Sequence, residues 1–132
     1  MTRSLEGSWQ NQHGSVLRID EVRSDGSLRG TFRPAVGLAR GGTFPIVGMA
    51  SDDIFSFTVS FGAQGITSWV GHREKSRPEE LTTTWILVIG AADAREPAWK
   101  RTLTGGDVFR SGDHALRVER SEGVSFSVPD VP

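Results

Sequence analysis

The chain contains no cysteine, and neither sign of charge dominates. The absence of cysteine excludes thiol catalysis, cysteine-based zinc sites and disulfides. With 15 basic against 16 acidic residues, the composition argues against nucleic acid or an anionic membrane as a partner, because both select a clear basic excess. The apolar runs also fall far short of the roughly 18 residues that a membrane helix needs. At 132 residues the chain suffices for one domain with a single core.

The opening segment, MTRSLEGSW, lacks the apolar stretch that a signal peptide requires. The sequence therefore predicts either a protein that stays inside the cell or a mature form carrying an added methionine.

The hydrophobic pattern has a period of two, which is typical of strands and not of helices. Turn residues separate the apolar runs, and the Asp25-Gly26 pair predicts a tight hairpin whose central residues both have positive φ. Eight strands are predicted, at Gly7–Asn11, Ser15–Val22, Leu28–Pro34, Thr43–Met49, Ile54–Phe61, Ile66–Arg73, Leu81–Ile89 and Trp99–Arg110.

Eight short strands joined mostly by short turns predict an all-β fold, an eight-stranded antiparallel up-and-down barrel, because closure removes exposed sheet edges. A two-sheet sandwich is the structural alternative. The barrel is expected to occupy residues 1–110, and residues 111–132 form a C-terminal tail.

Side chains alternate across a strand, so residues of one parity share a face. The predicted inward face is aromatic and aliphatic but also carries polar groups. Its members include Asn11, Ser15, Leu17, Ile19, Phe55, Phe57, Val59, Phe61, Thr67, Trp69, Thr83, Trp85, Leu87, Ile89 and Asp107. Either the polar groups are strand-end residues satisfied by backbone or water, or they orient one small ligand among aromatic walls.

The segment Gly-Ser-Trp-Gln-Asn-Gln-His-Gly-Ser at positions 7–15 is similar to the first-strand motif of streptavidin and its bacterial relatives. Its G-x-W part is shared with lipocalins, whereas N-Q-x-G-S is much more specific. Further collinear matches lie at positions 30–32, 35–37, 67–71, 83–87, 98–100 and 102–109. Over positions 7–109 the chain therefore resembles the avidin/streptavidin family, which implies a barrel whose open end binds biotin.

The resemblance also implies a role for each matching residue. Asn11 and Ser15 would donate hydrogen bonds to the ureido oxygen of biotin, and Asp107 would accept one from a ureido N–H. The remaining implied site residues are Thr67 near the thioether sulfur, Trp69, Trp85 and Leu87 as walls, Val36 and Gly37 in a closing loop, Leu38 with its backbone facing the carboxylate, and Trp99 capping a neighbouring subunit's site. Because that last role needs a second subunit, the resemblance implies a homotetramer, or at least a dimer.

Four positions depart from the family pattern. Phe32 replaces a tyrosine donor, Pro34 a polar residue, Gly65 a serine near the carboxylate, and Phe61 a tryptophan wall. We therefore expect biotin binding that is weaker than in streptavidin. An avidin-like barrel retuned to another small ligand, or filled by a peptide segment, is the alternative. The tail alternates like a strand at 115–120 and 124–128. Either it is a flexible, loosely attached end, or it pairs with a neighbouring subunit or enters its pocket.

No enzymatic or metal motif is found in the sequence. His13, His72 and His114 have neither metal-ligand spacing nor the local context of a Ser-His-Asp triad. We therefore predict a binding protein that is not an enzyme and has no cofactor or metal; haem held by one histidine is a minor alternative. The resemblance suggests secretion and a role in sequestering biotin, although scavenging or storage would give the same sequence.

Overall fold

A computed structural model describes residues 4–37, 39–90 and 98–112, with the backbone alone at 98 and 99. The described chain forms eight strands in one closed barrel in which every neighbouring pair is antiparallel and strands follow sequence order. The strands are β1 Gly7–Gln10, β2 Val16–Val22, β3 Ser27–Arg33, β4 Phe44–Ser51, β5 Ile54–Ser60, β6 Ile66–His72, β7 Glu80–Val88 and β8 Thr102–Ser111. The predicted barrel is thus confirmed, and the sandwich is excluded.

The start of the last strand was predicted wrongly. Residues Ala98–Arg101 form a short 3-10 helix, and β8 begins at Thr102 instead of Trp99. The β2–β3 turn also differs from the prediction, because only Gly26, at φ 90°, has positive φ, whereas Asp25 does not. The Asp25 carboxylate instead accepts hydrogen bonds from the backbone N–H and the hydroxyl of Ser27, at 2.8 and 2.7 Å. These bonds stabilise an Asx-type turn and lower the pKa of Asp25.

The interior is filled by the residues of one parity from each strand. On β5, Phe55, Phe57 and Val59 are buried, while Ile54 and Ser60 at the two ends of the strand are exposed. On β7, Leu81, Thr83 and Trp85 are buried in the same way. The alternation that predicted the inward face therefore describes the core, since a sheet that closes on itself has one face inside and one outside.

The two ends of the barrel are built differently. At one end, β1, β3, β5 and β7 finish and their successors begin; we call this end the mouth. The opposite end is covered by the segment before β1, where Leu5 is 6% exposed and its carbonyl accepts the Trp9 indole N–H at 2.9 Å. The buried Arg73 guanidinium donates to the Ser4 carbonyl at 3.3 Å and helps to hold this segment across the opening.

Candidate functional site

A buried carboxylate lies at the centre of the polar groups near the mouth. Asp107, on β8, is 2% exposed. One of its oxygens, Oδ2, accepts hydrogen bonds from the Trp69 indole N–H at 3.0 Å and from Asn11 Nδ2 at 3.3 Å. The other, Oδ1, accepts from Gln12 Nε2 at 2.8 Å. Residues from the β1–β2 connection, from β6 and from β8 therefore meet at one acceptor.

Burial raises the pKa of Asp107 above its ordinary value, because the charged form loses hydration. The hydrogen bonds from Trp69, Gln12 and Asn11 act in the opposite direction, as does the charge of His13. Desolvation is the largest contribution, so the net pKa shift is upward. The site thus keeps a carboxylate acceptor in a dry environment, where hydrogen bonds to an ionised group are strong.

The β1–β2 connection fixes the orientation of two further polar groups. Asn11 Oδ1 accepts the backbone N–H groups of His13 and Ser15, at 3.0 and 2.9 Å, so the amide nitrogen is directed toward the interior. The fully buried Ser15 hydroxyl accepts the backbone N–H of Ala35 at 2.9 Å. Because its oxygen accepts in that contact, the Ser15 hydroxyl proton remains available to donate to a ligand.

Thr67 carries a hydroxyl that has no protein partner. Its side chain is fully buried on β6, and Oγ1 makes no hydrogen bond within the described part of the chain. Leaving a buried hydroxyl unsatisfied costs about 1–3 kcal/mol. The buried Thr83 on the adjacent strand β7 differs, because its hydroxyl donates to the Asp107 carbonyl at 2.8 Å. Because its hydroxyl is unpartnered, Thr67 is a candidate ligand contact.

Aromatic rings line the interior beside these polar groups. The Phe32 and Trp69 ring centroids lie 4.9 Å apart, and Phe61 meets Phe32 edge-on at 6.3 Å. Trp85 is opposite Trp69 in the β6–β7 register and is 4% exposed. Leu87, which is opposite Thr67, is 3% exposed. Such walls exclude water and leave the orientation of a ligand to a few polar groups.

Three of the four positions that depart from the resembled pattern, Phe32, Pro34 and Gly65, have no polar side-chain group. Phe32 is fully buried, and Pro34 is buried with its carbonyl accepting the Gly41 N–H at 2.9 Å. Gly65 has a φ of 123°, and a Cβ there would lie 2.7 Å from the Val88 carbonyl oxygen. A serine at position 65 is therefore incompatible with the present backbone.

The structure brings together nine of the predicted site residues in the mouth half of the interior. They are Asn11, Ser15, Phe32, Phe61, Thr67, Trp69, Trp85, Leu87 and Asp107, of which all but the half-buried Phe61 are buried. Val36 and Gly37 lie in the β3–β4 connection, with Val36 packed against the core and Gly37 at φ 83°. Leu38 and the side chain of Trp99 lie outside the described residues, as does the tail from residue 113.

Gln12 is the polar site residue that the sequence prediction missed. It stands inside the N-Q-x-G-S segment, so the motif contained the signal, but no role was assigned to it. Its side chain bonds to Asp107 across 95 positions of sequence, a contact that local periodicity cannot reveal.

Other kinds of site find no support within the described residues. No group of three or more His, Asp or Glu side chains there is arranged to hold a metal. None of the helices among those residues is long and apolar enough to cross a membrane. A pocket of about 510 Å³ lies at the end opposite the mouth, where exposed turn residues such as Arg23, Asp25 and Asp52 line it. It has no convergent buried polar groups comparable to those around Asp107.

Comparison with known proteins gives one consistent result. The family model described as "Avidin family" matches residues 1–112. Chicken (Gallus gallus) avidin-related protein 1 is 33% identical over 115 residues, which cover 80% of this chain and 76% of that protein. Xenavidin is similar in structure, with a TM-score of 0.72 at 28% identity over 85% of this chain and 100% of its own. The bradavidin2–biotin complex gives a TM-score of 0.69 at 28% identity, covering 83% and 99%.

Proposed function

Because this chain belongs to the avidin family, we propose that the mouth of its barrel binds biotin. The single observation that carries the proposal is the convergence of Asn11, Ser15 and Asp107, all buried, on one aromatic-lined end of the barrel. A cyclic urea needs donors at its oxygen and acceptors at its nitrogens. This cluster offers two donors and an ionisable acceptor, and the solved structure of bradavidin2, a structural relative, is a complex with biotin.

In this proposal Asn11 and Ser15 donate to the ureido oxygen. The Asn11 amide exchanges its long 3.3 Å contact with Asp107 for the ligand oxygen, and Ser15 donates the proton that its contact with Ala35 leaves free. Asp107 accepts from one ureido N–H while Trp69 and Gln12 continue to hold its two oxygens. The ionised form of Asp107 is the one that accepts, so binding weakens as the pH falls through its raised pKa.

The apolar part of biotin fits the remaining features of the site. Thr67 Oγ1, which has no partner among the described residues, faces the thioether and can donate a weak hydrogen bond to sulfur. Trp69, Trp85 and Leu87 cover the bicyclic ring, with Phe61 closing the wall toward the mouth.

The missing donors set the expected affinity. Three hydrogen bonds absent at Phe32, Pro34 and Gly65 remove about 2–4 kcal/mol, at roughly 0.5–1.5 kcal/mol each. Biotin–streptavidin lies near the affinity ceiling of about −18 to −21 kcal/mol. Subtracting these losses leaves about −14 to −19 kcal/mol, so we propose tight binding that is weaker than in streptavidin, with a Kd of about 0.1 nM or lower.

Calorimetric titration of biotin into the full-length protein tests the proposal. We expect one site per chain, and we expect the ligand to be recovered unchanged, as for a binding protein without enzymatic activity. An Asp107→Ala variant is expected to bind much more weakly, and Asp25→Ala, at the opposite end, is the matched control. No heat and no change in tryptophan fluorescence at tens of micromolar biotin would refute biotin as the ligand. Binding of a different small molecule would then support a barrel retuned to another ligand. Binding of a synthetic peptide with the sequence of the chain's own tail would support a pocket filled by a peptide segment.

A homo-oligomer is the second part of the proposal, and the outer wall of the barrel supports it. Eight large apolar side chains on β4 to β8 are between 37% and 63% exposed: Val47, Met49, Ile54, Ile66, Val70, Ile86, Val88 and Leu103. Ile66 and Val88 are direct cross-strand partners, so the apolar surface continues from one strand to the next. Exposed apolar surface on this scale is typical of a subunit interface.

Light scattering on the full-length protein and on a Val70→Lys/Ile86→Lys variant measures this association. We expect a dimer or tetramer for the native chain and a smaller species for the variant. Glu21→Lys, on the outer face of β2, is the control. A monomeric native protein at micromolar concentration would contradict the oligomer.

A further inference from the structure

Gln12 bridges the β1–β2 connection and β8 with its side chain. Its Nε2 donates to the Gly106 carbonyl at 3.1 Å, and its Oε1 accepts the backbone N–H of Val108, also at 3.1 Å. These two backbone groups flank Asp107. The carboxamide of Gln12 therefore bonds to β8 on both sides of Asp107, as the peptide group of a neighbouring strand would.

This bridge lies where backbone pairing between the first and last strands has ended. The β1–β8 register contains Trp9↔Ser111 and Gln10↔Arg110, and β1 stops there. On its other side, β8 pairs with β7 along its length, from Arg110 to Thr102. The mouth-side part of β8 thus has backbone groups directed away from β7 that β1 is too short to meet, and Gln12 satisfies two of them.

The same amide nitrogen makes the shortest hydrogen bond to the carboxylate. Nε2 of Gln12 lies 2.8 Å from Asp107 Oδ1, whereas Trp69 and Asn11 bind Oδ2 at 3.0 and 3.3 Å. We propose that Gln12 is a positioning residue for ligand recognition: it ties the mouth-side seam of the barrel to Oδ1 of Asp107 and so holds that carboxylate in a fixed orientation toward the ligand. This inference rests on the proposed function for its ligand, but its geometry is present without any ligand.

Asp107 has few other ionisable groups near it. Its described hydrogen-bond partners Asn11, Gln12 and Trp69 are not titratable in the ordinary range, and His13, next to Gln12, is the titratable group whose charge lowers its pKa. The Gln12 hydrogen bond opposes the upward shift that burial gives to the Asp107 pKa. Removing this donor should therefore raise the Asp107 pKa further. A neutral carboxyl accepts hydrogen bonds poorly, so ligand affinity in the variant should fall at a higher pH than in the native protein.

The test compares Gln12→Met with Gln10→Met in the full-length protein. Methionine keeps nearly the length of glutamine and removes its hydrogen bonds. Gln10 is the matched control, because its side chain bonds to the Gly14 carbonyl of its own loop, at 3.3 Å. Carbon-13 NMR measures the Asp107 pKa in the unliganded proteins, and calorimetry measures biotin affinity across pH. We expect Gln12→Met to raise the Asp107 pKa and to weaken biotin about 10- to 100-fold at neutral pH. Gln10→Met should change neither.

Three results separate the possibilities. An unchanged Asp107 pKa, with a loss of affinity that is equal at every pH, would overturn the positioning role and leave a structural one. A raised Asp107 pKa in a protein whose native form ignores biotin would support the positioning role and reject biotin as the ligand. If Gln12→Met does not fold, nitrogen-15 NMR of the native protein decides. The chemical shifts of the Gln12 side-chain amide should then change with pH in step with the protonation of Asp107. Amide chemical shifts that do not follow that protonation would overturn the inference.

Discussion

Restoring a hydroxyl at position 32 is the sharpest test of how this site differs from the family pattern. Phe32 is fully buried, and its ring centroid lies 4.9 Å from that of Trp69. By resemblance, the Phe32→Tyr oxygen would stand beside the ureido oxygen together with Asn11 and Ser15. One added hydrogen bond contributes about 0.5–1.5 kcal/mol, so biotin should bind roughly 2- to 12-fold more tightly.

The same hydroxyl should destabilise the unliganded protein. It would enter a fully buried, aromatic environment, where an unsatisfied polar group costs about 1–3 kcal/mol. For a domain of this size each kcal/mol lowers Tm by about 2–8 °C. Biotin would then provide the missing partner, so the ligand-induced rise in Tm should be larger for Phe32→Tyr than for the native chain.

Scanning calorimetry with and without biotin, together with the biotin dissociation rate, measures both effects. Because the native chain contains no tyrosine, the introduced residue is the only tyrosine of the variant, and the ionisation of its phenol can be followed by ultraviolet absorbance. Free tyrosine titrates at about pH 10, and bound biotin should suppress that titration. Phe57→Tyr is the control: Phe57 is 1% exposed and stacks on Trp69 at 4.8 Å, farther from the mouth. Equal affinities for the two variants would refute the assignment of position 32 to the ureido oxygen.

Three further predictions follow from individual side chains. Because the Asp107 pKa is raised in the folded protein, the unfolding free energy of the native protein, compared with that of Asp107→Asn, should be greatest below the unfolded pKa of about 3.9. It should fall as the pH rises through the raised native pKa. Denaturant titrations at several pH values measure this difference, and a difference that increases with pH would contradict the prediction. Thr67→Val should stabilise the unliganded protein by about 1–2 kcal/mol, because it removes the unpartnered hydroxyl, and should weaken biotin binding; a loss of stability in calorimetry would show that the hydroxyl has a partner. Gly65→Ser should lower stability by about 1–3 kcal/mol without improving affinity, since its φ of 123° and its approach to Val88 leave no room for Cβ; an unchanged Tm would exclude that strain.

Much of the fold could be predicted because inward and outward side chains alternate along each strand of a barrel. The parity of Phe55, Phe57 and Val59 identifies the inward face, and the structure buries all three. The β8 start was predicted too early because Trp99 suits a strand by composition, whereas the chain makes a 3-10 turn before Thr102. Propensity describes single residues, but where a strand begins depends on which neighbour it pairs with.

The site was harder to predict than the barrel, because its properties arise between distant residues. The sequence and the family resemblance selected Asn11 and Asp107, but not Gln12, whose side-chain amide bonds to the Asp107 carboxylate and to the β8 backbone. Nor could the alternation of side chains distinguish Thr67 from Thr83, because both are buried and point inward. Their difference is that Thr83 reaches the Asp107 carbonyl and Thr67 reaches no described partner. Whether a buried hydroxyl has a hydrogen-bond partner depends on which groups lie near it in the folded structure, and the sequence pattern does not show this.

The unliganded interior contains two unfavourable features that a well-packed core would lack. The Asp107 carboxylate is buried strongly enough for its pKa to rise despite three hydrogen-bond donors, and the Thr67 hydroxyl is unsatisfied. Both lie on the same inner face as the donors Asn11 and Ser15, so one ligand can relieve both at once. A barrel selected for stability alone would have apolar residues at positions 67 and 107. These costs coincide in the mouth half of the interior, whereas the buried Thr83 and Arg73 side chains have hydrogen-bond partners, which argues that the polar cluster is maintained for binding.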